Sequence, residues 1–77
     1  MPTKSESDNL DDLFNEAVAD HQAVRLADAE TKYRKILDTD PTHAGALHFL
    51  GVLAHQAGQP EAAVDLIERA LEAVPED

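Results

Sequence analysis

Apolar residues recur at intervals of three and four along most of this chain, which is the spacing of an amphipathic helix. Such stripes occupy about residues 10–23, 26–38, 43–57 and 60–74. Prolines follow the second and fourth stripes, and a proline disfavours helical geometry in the residue before it. The pattern therefore predicts four helices, and the short connections between them leave no room for a sheet.

Residues that favour helix ends stand near the predicted boundaries. One of residues 7–9 is expected to cap the first helix, because their side-chain oxygens accept from free backbone N–H groups. The third helix is expected to begin at Thr42 or His43, of which Thr42 is the better cap on chemical grounds. Gly58 suits a left-handed end of the third helix, and Pro60 suits the first turn of the fourth. Val24 occupies the position equivalent to Gly58, although a β-branched residue resists positive φ.

The chain repeats itself with a period of 34 residues. Residues 18–23, VADHQA, return at 52–57 as VLAHQA, and eight positions are identical between 10–43 and 44–77. Average composition would give about two identities. A period of this length is typical of stacked helix pairs, and such arrays usually present a binding surface without a reaction centre.

Residues 44–77 resemble the tetratricopeptide repeat. In the register of that family they supply its apolar positions, its Leu-Gly pair, its small residues and its closing proline: Leu47, Leu50, Gly51, Gly58, Ala63, Ile67, Ala70, Leu71 and Pro75. Residues 10–43 look like a divergent copy, with Glu16 where the family has leucine and Val24 where it has glycine. A polar Glu16 suits a first repeat that has no neighbour on its outer side.

The resemblance implies an all-α fold in which two helix-turn-helix hairpins stack in the same orientation, as in an α-α superhelix. Repeat 1 would cover residues 10–43 and repeat 2 residues 44–77, after a disordered lead-in over residues 1–9. A four-helix bundle of non-repeat type is the alternative. It does not explain the recurring His-Gln-Ala motif or the recurring prolines.

The resemblance also implies that the first helix of each repeat lines a groove that binds a peptide or partner protein without catalysis. The implied groove residues are Phe14, Asn15, Val18, His21, Gln22, His48, Phe49, Val52, His55 and Gln56. Some family members bind acidic chaperone tails through groove lysine and asparagine, but residues 10–24 and 43–57 contain no lysine or arginine. We therefore expect an apolar or basic partner segment rather than an acidic one.

The composition of the chain limits the cellular compartment and the classes of partner that are expected. The net charge is −10, from 16 acidic and 6 basic residues, so the chain repels phosphate backbones and nucleic acid is not an expected partner. The first nine residues are polar and no 18-residue apolar run occurs, so neither a signal peptide nor a membrane span is expected. The absence of cysteine favours a reducing, cytoplasmic setting.

Histidine is the residue type most suggestive of chemistry. His21, His48 and His55 are expected on one surface, with His21 and His55 as stacked neighbours, and three imidazoles can bind a transition metal. No carboxylate stands at a defined ligand spacing from them, so we interpret them as polar groove residues, with a pH-dependent contact as the alternative. Ser5 and Ser7, the only serines, lack a nearby base. We expect no metal, no cofactor and no enzymatic activity.

Repeat arrays of this kind normally need about three units, and repeat 2 ends at the last residue. We expect an apolar open end through which two copies associate at high concentration, formed by Leu50, Leu53, Leu66 and Val74. Two alternatives to a binding module stay open. The chain is a substrate-recruiting N-terminal segment of a larger enzyme that resembles O-linked N-acetylglucosamine transferases, or it is a structural unit of self-assembly.

Overall fold

The computed structural model describes residues 6–74, and the side chains of residues 9–74. This part of the chain forms four helices and no strand: α1 (Glu6–Gln22), α2 (Leu26–Thr39), α3 (Ala44–Gln56) and α4 (Pro60–Ala73). A search of the described residues finds no helix with the length and hydropathy needed to cross a bilayer. The prediction of an all-α fold is confirmed.

The first helix begins earlier than the apolar pattern predicted. α1 starts at Glu6, so residues 6–9 of the expected lead-in are helical, and a cap at residues 7–9 is wrong because they lie inside α1. Residues 1–5 of that lead-in lie outside the described residues. Periodicity locates a helix only where it has something apolar to bury, and residues 6–9 are all polar.

The helices pack as two hairpins, α1 with α2 and α3 with α4, and the hairpins meet mainly through α2 and α3. A shared core contains residues of three helices: Ala17, Ala29, Tyr33, Ile36, Ala46, Leu50 and Leu53. Gly51 lets α3 approach α4 closely, since a Cβ there would lie 2.7 Å from Cγ1 of Ile67 and 3.3 Å from the carbonyl oxygen of Ala63. The two hairpins are thus held both internally and against each other.

Both hairpins turn in the same way. Val24 and Gly58 are left-handed, with φ of 63° and 79°. The N–H of Arg25 donates to the carbonyl of Asp20 at 2.8 Å, and the N–H of Gln59 donates to Ala54 at 2.9 Å. These bonds close Schellman motifs, in which the left-handed residue is usually glycine. The repeat geometry therefore holds at Val24 despite its β-branched side chain.

The cap of α3 differs from the prediction. His43, rather than Thr42, is the N-cap residue, and its Nδ1 accepts from the N–H of Ala46 at 3.0 Å. Thr42 instead donates its hydroxyl to Oδ1 of Asp40 at 3.1 Å. Both residue types can accept from a helix N-terminus, so a shift of one residue in the turn decides which of them does. His43 also packs on Phe14, with ring centroids 5.2 Å apart.

The left-handed Val24 predicts a stabilising substitution. Its side chain is 75% exposed, so Val24→Gly loses little packing and removes a backbone conformation that costs a non-glycine residue about 1–2 kcal/mol. Allowing for the greater freedom of glycine in the unfolded chain, we expect the free energy of unfolding to rise by about 1 kcal/mol in urea denaturation. The neighbouring Ala23→Gly, where φ is not positive, should lower it. A Val24→Gly variant less stable than the natural chain would contradict this account.

Candidate peptide-binding surface

The predicted groove residues lie on α1 and α3 and differ in exposure. Five are exposed, namely Asn15, Gln22, His48, His55 and Gln56. The other five are half-buried, namely Phe14, Val18, His21, Phe49 and Val52. The half-buried set includes both phenylalanines of the surface, Phe14 and Phe49. The largest apolar side chains of the surface are therefore partly used for packing inside the protein.

Phe49 lies at the centre of a ring cluster that joins the two hairpins. Its centroid is 5.7 Å from Phe14, 6.4 Å from His21 and 5.2 Å from His48. Its ring stacks on the fully buried Tyr33 of α2 at 6.3 Å, with 10° between the planes. Offset stacking and edge contacts of this kind stabilise beyond the buried area alone. The structure therefore brings Phe14, His21 and Phe49 together, chiefly as a contact between the repeats.

The histidines of the repeated motif have different surroundings. Nε2 of His21 lies 2.7 Å from Oε1 of Gln56, and because an amide oxygen accepts, the ring donates from Nε2. His55 is exposed and borders a depression between α3 and α4 beside Val64 and Ile67. Among the described residues no group of three or more His, Asp or Glu side chains is placed to hold a metal ion.

The leucines predicted for the open end face the other way. Leu50 and Leu53 are buried in the core shared with repeat 1, and Leu66 packs against it. The prediction that these three leucines form the open end is wrong, because the face of repeat 2 that carries them is the one that packs on repeat 1. A helix pair in an array has two apolar faces, and the spacing of apolar residues does not say which is occupied.

Within residues 6–74, the opposite face of repeat 2 is the one that no other element covers. Val64, Leu71 and Val74 of this face are 56%, 71% and 51% exposed. Val74, the fourth residue of the predicted open end, is thus exposed, and Leu71 is exposed although its stripe predicts burial. Its equivalent one period earlier, Leu37, is half-buried because it packs against the shared core. No described element covers Leu71 in this way.

The comparison with known families agrees with this geometry. A family model of the tetratricopeptide repeat matches residues 15–77, which takes in the second half of α1 and all of α2, α3 and α4. The chain belongs to the tetratricopeptide-repeat family. Tetratricopeptide repeats are generally protein-interaction modules and are typically non-catalytic. A search of curated proteins finds no match to this chain.

An ion-pair cluster that the sequence analysis did not single out closes the first tetratricopeptide hairpin. Buried Asp20 accepts from Nζ of Lys32 at 2.5 Å and from Nε of Arg25 at 3.1 Å. The hydrogen bond from Lys32 lowers the pKa of Asp20 against the opposing effect of burial, and the same bond raises the pKa of Lys32. One period later Ala54 and Leu66 take these places. This joint change between the repeats is the signal that could have revealed the pair.

The Asp20 cluster predicts a defined pH dependence of stability. The folded-state pKa of Asp20 lies below its ordinary value of 3.8. Asp20 therefore contributes fully to the stability of the fold above pH 3.8, and this contribution is lost as the pH falls through the folded-state pKa. The contribution of Lys32 is complete below 10.5 and is lost as the pH rises through its higher folded-state pKa. Asp20→Asn should lower the melting temperature at pH 7 by several degrees and flatten its fall below pH about 4.

Thermal melts from neutral to acidic pH measure this effect. The double variant Asp20→Ala, Lys32→Leu copies the Ala54 and Leu66 pair of the second repeat. It should be more stable than Asp20→Asn because it removes the half-buried ammonium of Lys32 together with its partner, whereas Arg25 and Glu16, which also lose a partner, are exposed. Identical acid sensitivity of the Asp20→Asn variant and the natural chain would contradict the assigned role of this carboxylate.

Tyr33 predicts a second stabilising change. Its hydroxyl is buried with no hydrogen-bond partner among the described residues, and burial raises the pKa of Tyr33. Tyr33→Phe removes this unsatisfied group and keeps the stacked ring, so the free energy of unfolding should rise by about 1 kcal/mol in urea denaturation. Tyr33→Leu, the control, loses the stack on Phe49 and should lower it by about 2 kcal/mol. A marked loss of stability in Tyr33→Phe would show that the hydroxyl is satisfied.

Proposed function

We propose that this protein is a non-catalytic interaction module that holds an extended apolar or basic segment of a partner protein along the α1–α3 surface. The observation that carries the proposal is the charge of this surface. Asp11 is exposed and stands three and four residues before Phe14 and Asn15, which places it on the groove face of α1. Neither α1 nor α3 contains lysine or arginine, and the whole chain carries a net charge of −10. A positive segment gains from this field, and an acidic one is repelled.

The exposed side chains suit recognition of an extended backbone. Asn15 and Gln22 are amides, each able to donate to a peptide carbonyl and to accept from a peptide N–H. Gln56, whose oxygen accepts from His21, has its amide N–H groups to donate to a peptide carbonyl. Val18 and Val52, equivalent positions of the two repeats, are half-buried and leave part of their apolar surface accessible. We place this activity in the cytoplasm, which fits the absence of cysteine, and it requires no cofactor or metal.

A second candidate function is self-association. It is favoured by the exposure of Val64, Leu71 and Val74 at the uncovered end of the stack, since a contiguous apolar patch commonly marks an interface. Two copies would associate at high concentration through the face that carries Val64, Leu71 and Val74. The net charge of −10 on each copy opposes the contact, so added salt should strengthen it.

The groove proposal is tested with two fluorescent peptides that have the same apolar residues. One peptide carries lysine at the remaining positions, and the other carries glutamate there. In anisotropy titrations with the full chain, the lysine peptide should bind about tenfold more tightly at low ionic strength, with a smaller difference at high salt. Gln22→Lys, on the groove, should weaken that binding several-fold. The matched control is Thr39→Lys, which makes the same charge change at an exposed position of α2. Tighter binding of the glutamate peptide, or an equal effect of both variants, would overturn the proposal.

A further inference from the structure

We propose that the uncovered face between α3 and α4 is a second docking site, which takes one basic amphipathic helix from a partner protein. This site lies beside the α1–α3 groove, with His48 and His55 of α3 bordering both, and it differs from the groove in the conformation of its ligand. The groove receives an extended segment, whereas the second site receives a helix. Three features support the proposal: the form of the face, what the first repeat places in the equivalent position, and the charges beside it.

The face forms one continuous trough. A depression of about 280 Å³ lies between α3 and the second half of α4, and one of about 490 Å³ lies between α3 and the first half. Both are lined by Ile67, so they meet at the middle of the hairpin. Val64, Leu71 and Val74 provide its exposed apolar surface. The 13 residues of α3 set a length of about 20 Å, which matches between three and four turns of a helix.

The first repeat shows what such a trough accepts. One period before Ile67 and Leu71 stand Tyr33 and Leu37, which are buried and half-buried. α3 packs against that hairpin, and its Phe49 contacts Tyr33 directly. Both hairpins have the same Schellman turn and the same small residue, Ala29 or Ala63, where their helices meet. The second hairpin therefore has the backbone plan of the hairpin that already holds a helix.

The charges beside the trough select a basic helix. Glu61, Glu68 and Glu72 follow one side of α4 next to its apolar stripe, as their spacings of seven and four residues require. Arg69, the only basic residue of α4, lies 3.9 Å from Asp65. α3 adds histidines but no lysine or arginine along its side of the trough. A helix with Lys or Arg beside its apolar face would therefore be attracted and oriented by the carboxylates.

A second copy of the chain fits this face less well. In a symmetric pair each copy would bring its own row of glutamates against the other, and like charges at an interface oppose association. In a head-to-tail contact the other end of the stack would have to fit the apolar trough. That end carries Glu16 and Lys32, whose charged groups lie 3.9 Å apart, and the small Ala19. Neither arrangement matches the apolar stripe and its acidic edge as a basic helix does.

The test uses the full chain and two synthetic peptides with the same amphipathic apolar face, one flanked by lysines and one by glutamates. In calorimetric titrations the lysine peptide should bind about tenfold more tightly than the glutamate peptide, and circular dichroism should show a gain of helix on binding. Equal affinities, or binding of the lysine peptide without a gain of helix, would overturn the proposal. Sedimentation of the chain alone tests the competing occupant: a dimer that the lysine peptide does not dissociate would also overturn it.

Variants locate the site. Leu71→Glu, at an exposed position, should weaken the lysine peptide at least about tenfold, whereas Ala19→Glu at the opposite end should not. The pair Glu68→Lys, Glu72→Lys should invert the preference toward the glutamate peptide. Gln22→Lys should leave helix binding unchanged while it weakens the extended peptide, so the two proposals fail separately. Retained affinity in Leu71→Glu, or loss of helix binding in Gln22→Lys, would refute the trough as the site.

Discussion

The structure depends on the contact between α2 and α3, where the two hairpins share most of their core. Tyr33 lies fully buried beneath Phe49, and Leu50 and Leu53 complete the apolar layer. Each hairpin alone has about 30 residues, which is below the size at which a chain without cross-links usually folds. The second repeat therefore cannot present either of its surfaces unless the first is packed against it.

The two repeats have the same backbone plan, but equivalent faces of the two repeats have different surroundings: one faces solvent, and the other packs against a neighbouring repeat. In the first repeat Asp20 and Lys32 form an ion pair at positions where the second has Ala54 and Leu66. The polar pair suits the outer end of the stack, and the apolar pair suits the contact between repeats. A few substitutions thus turn an interface into a solvated surface. The exposed side of α4 shows no such change, since Val64 and Leu71 lie at its surface and Val74 follows them just past the helix end.

The sequence predicted what is local and repeated: four helices, their pairing into hairpins, and the left-handed turn at Gly58. It did not predict the start of α1, since a polar helix end carries no periodicity, nor the cap at His43, since Thr42 has equivalent capping chemistry. It also placed Leu50 on the wrong end of the stack. A comparison of the repeats position by position would have corrected this. Glu16 is equivalent to Leu50 and marks this face of repeat 1 as solvent-exposed, so the same face of repeat 2, which carries Leu50, is the one that packs on repeat 1.

The two proposed surfaces meet on α3. His48 and His55 are exposed groove residues, and both also line the trough against α4. His48 packs edge-on against Phe49, which belongs to the contact between the repeats. Ligands on the two surfaces would thus touch one helix whose position is fixed by the shared core. Because the same net charge of −10 acts on both, a partner that offers a basic extended segment followed by a basic helix would gain from both surfaces at once.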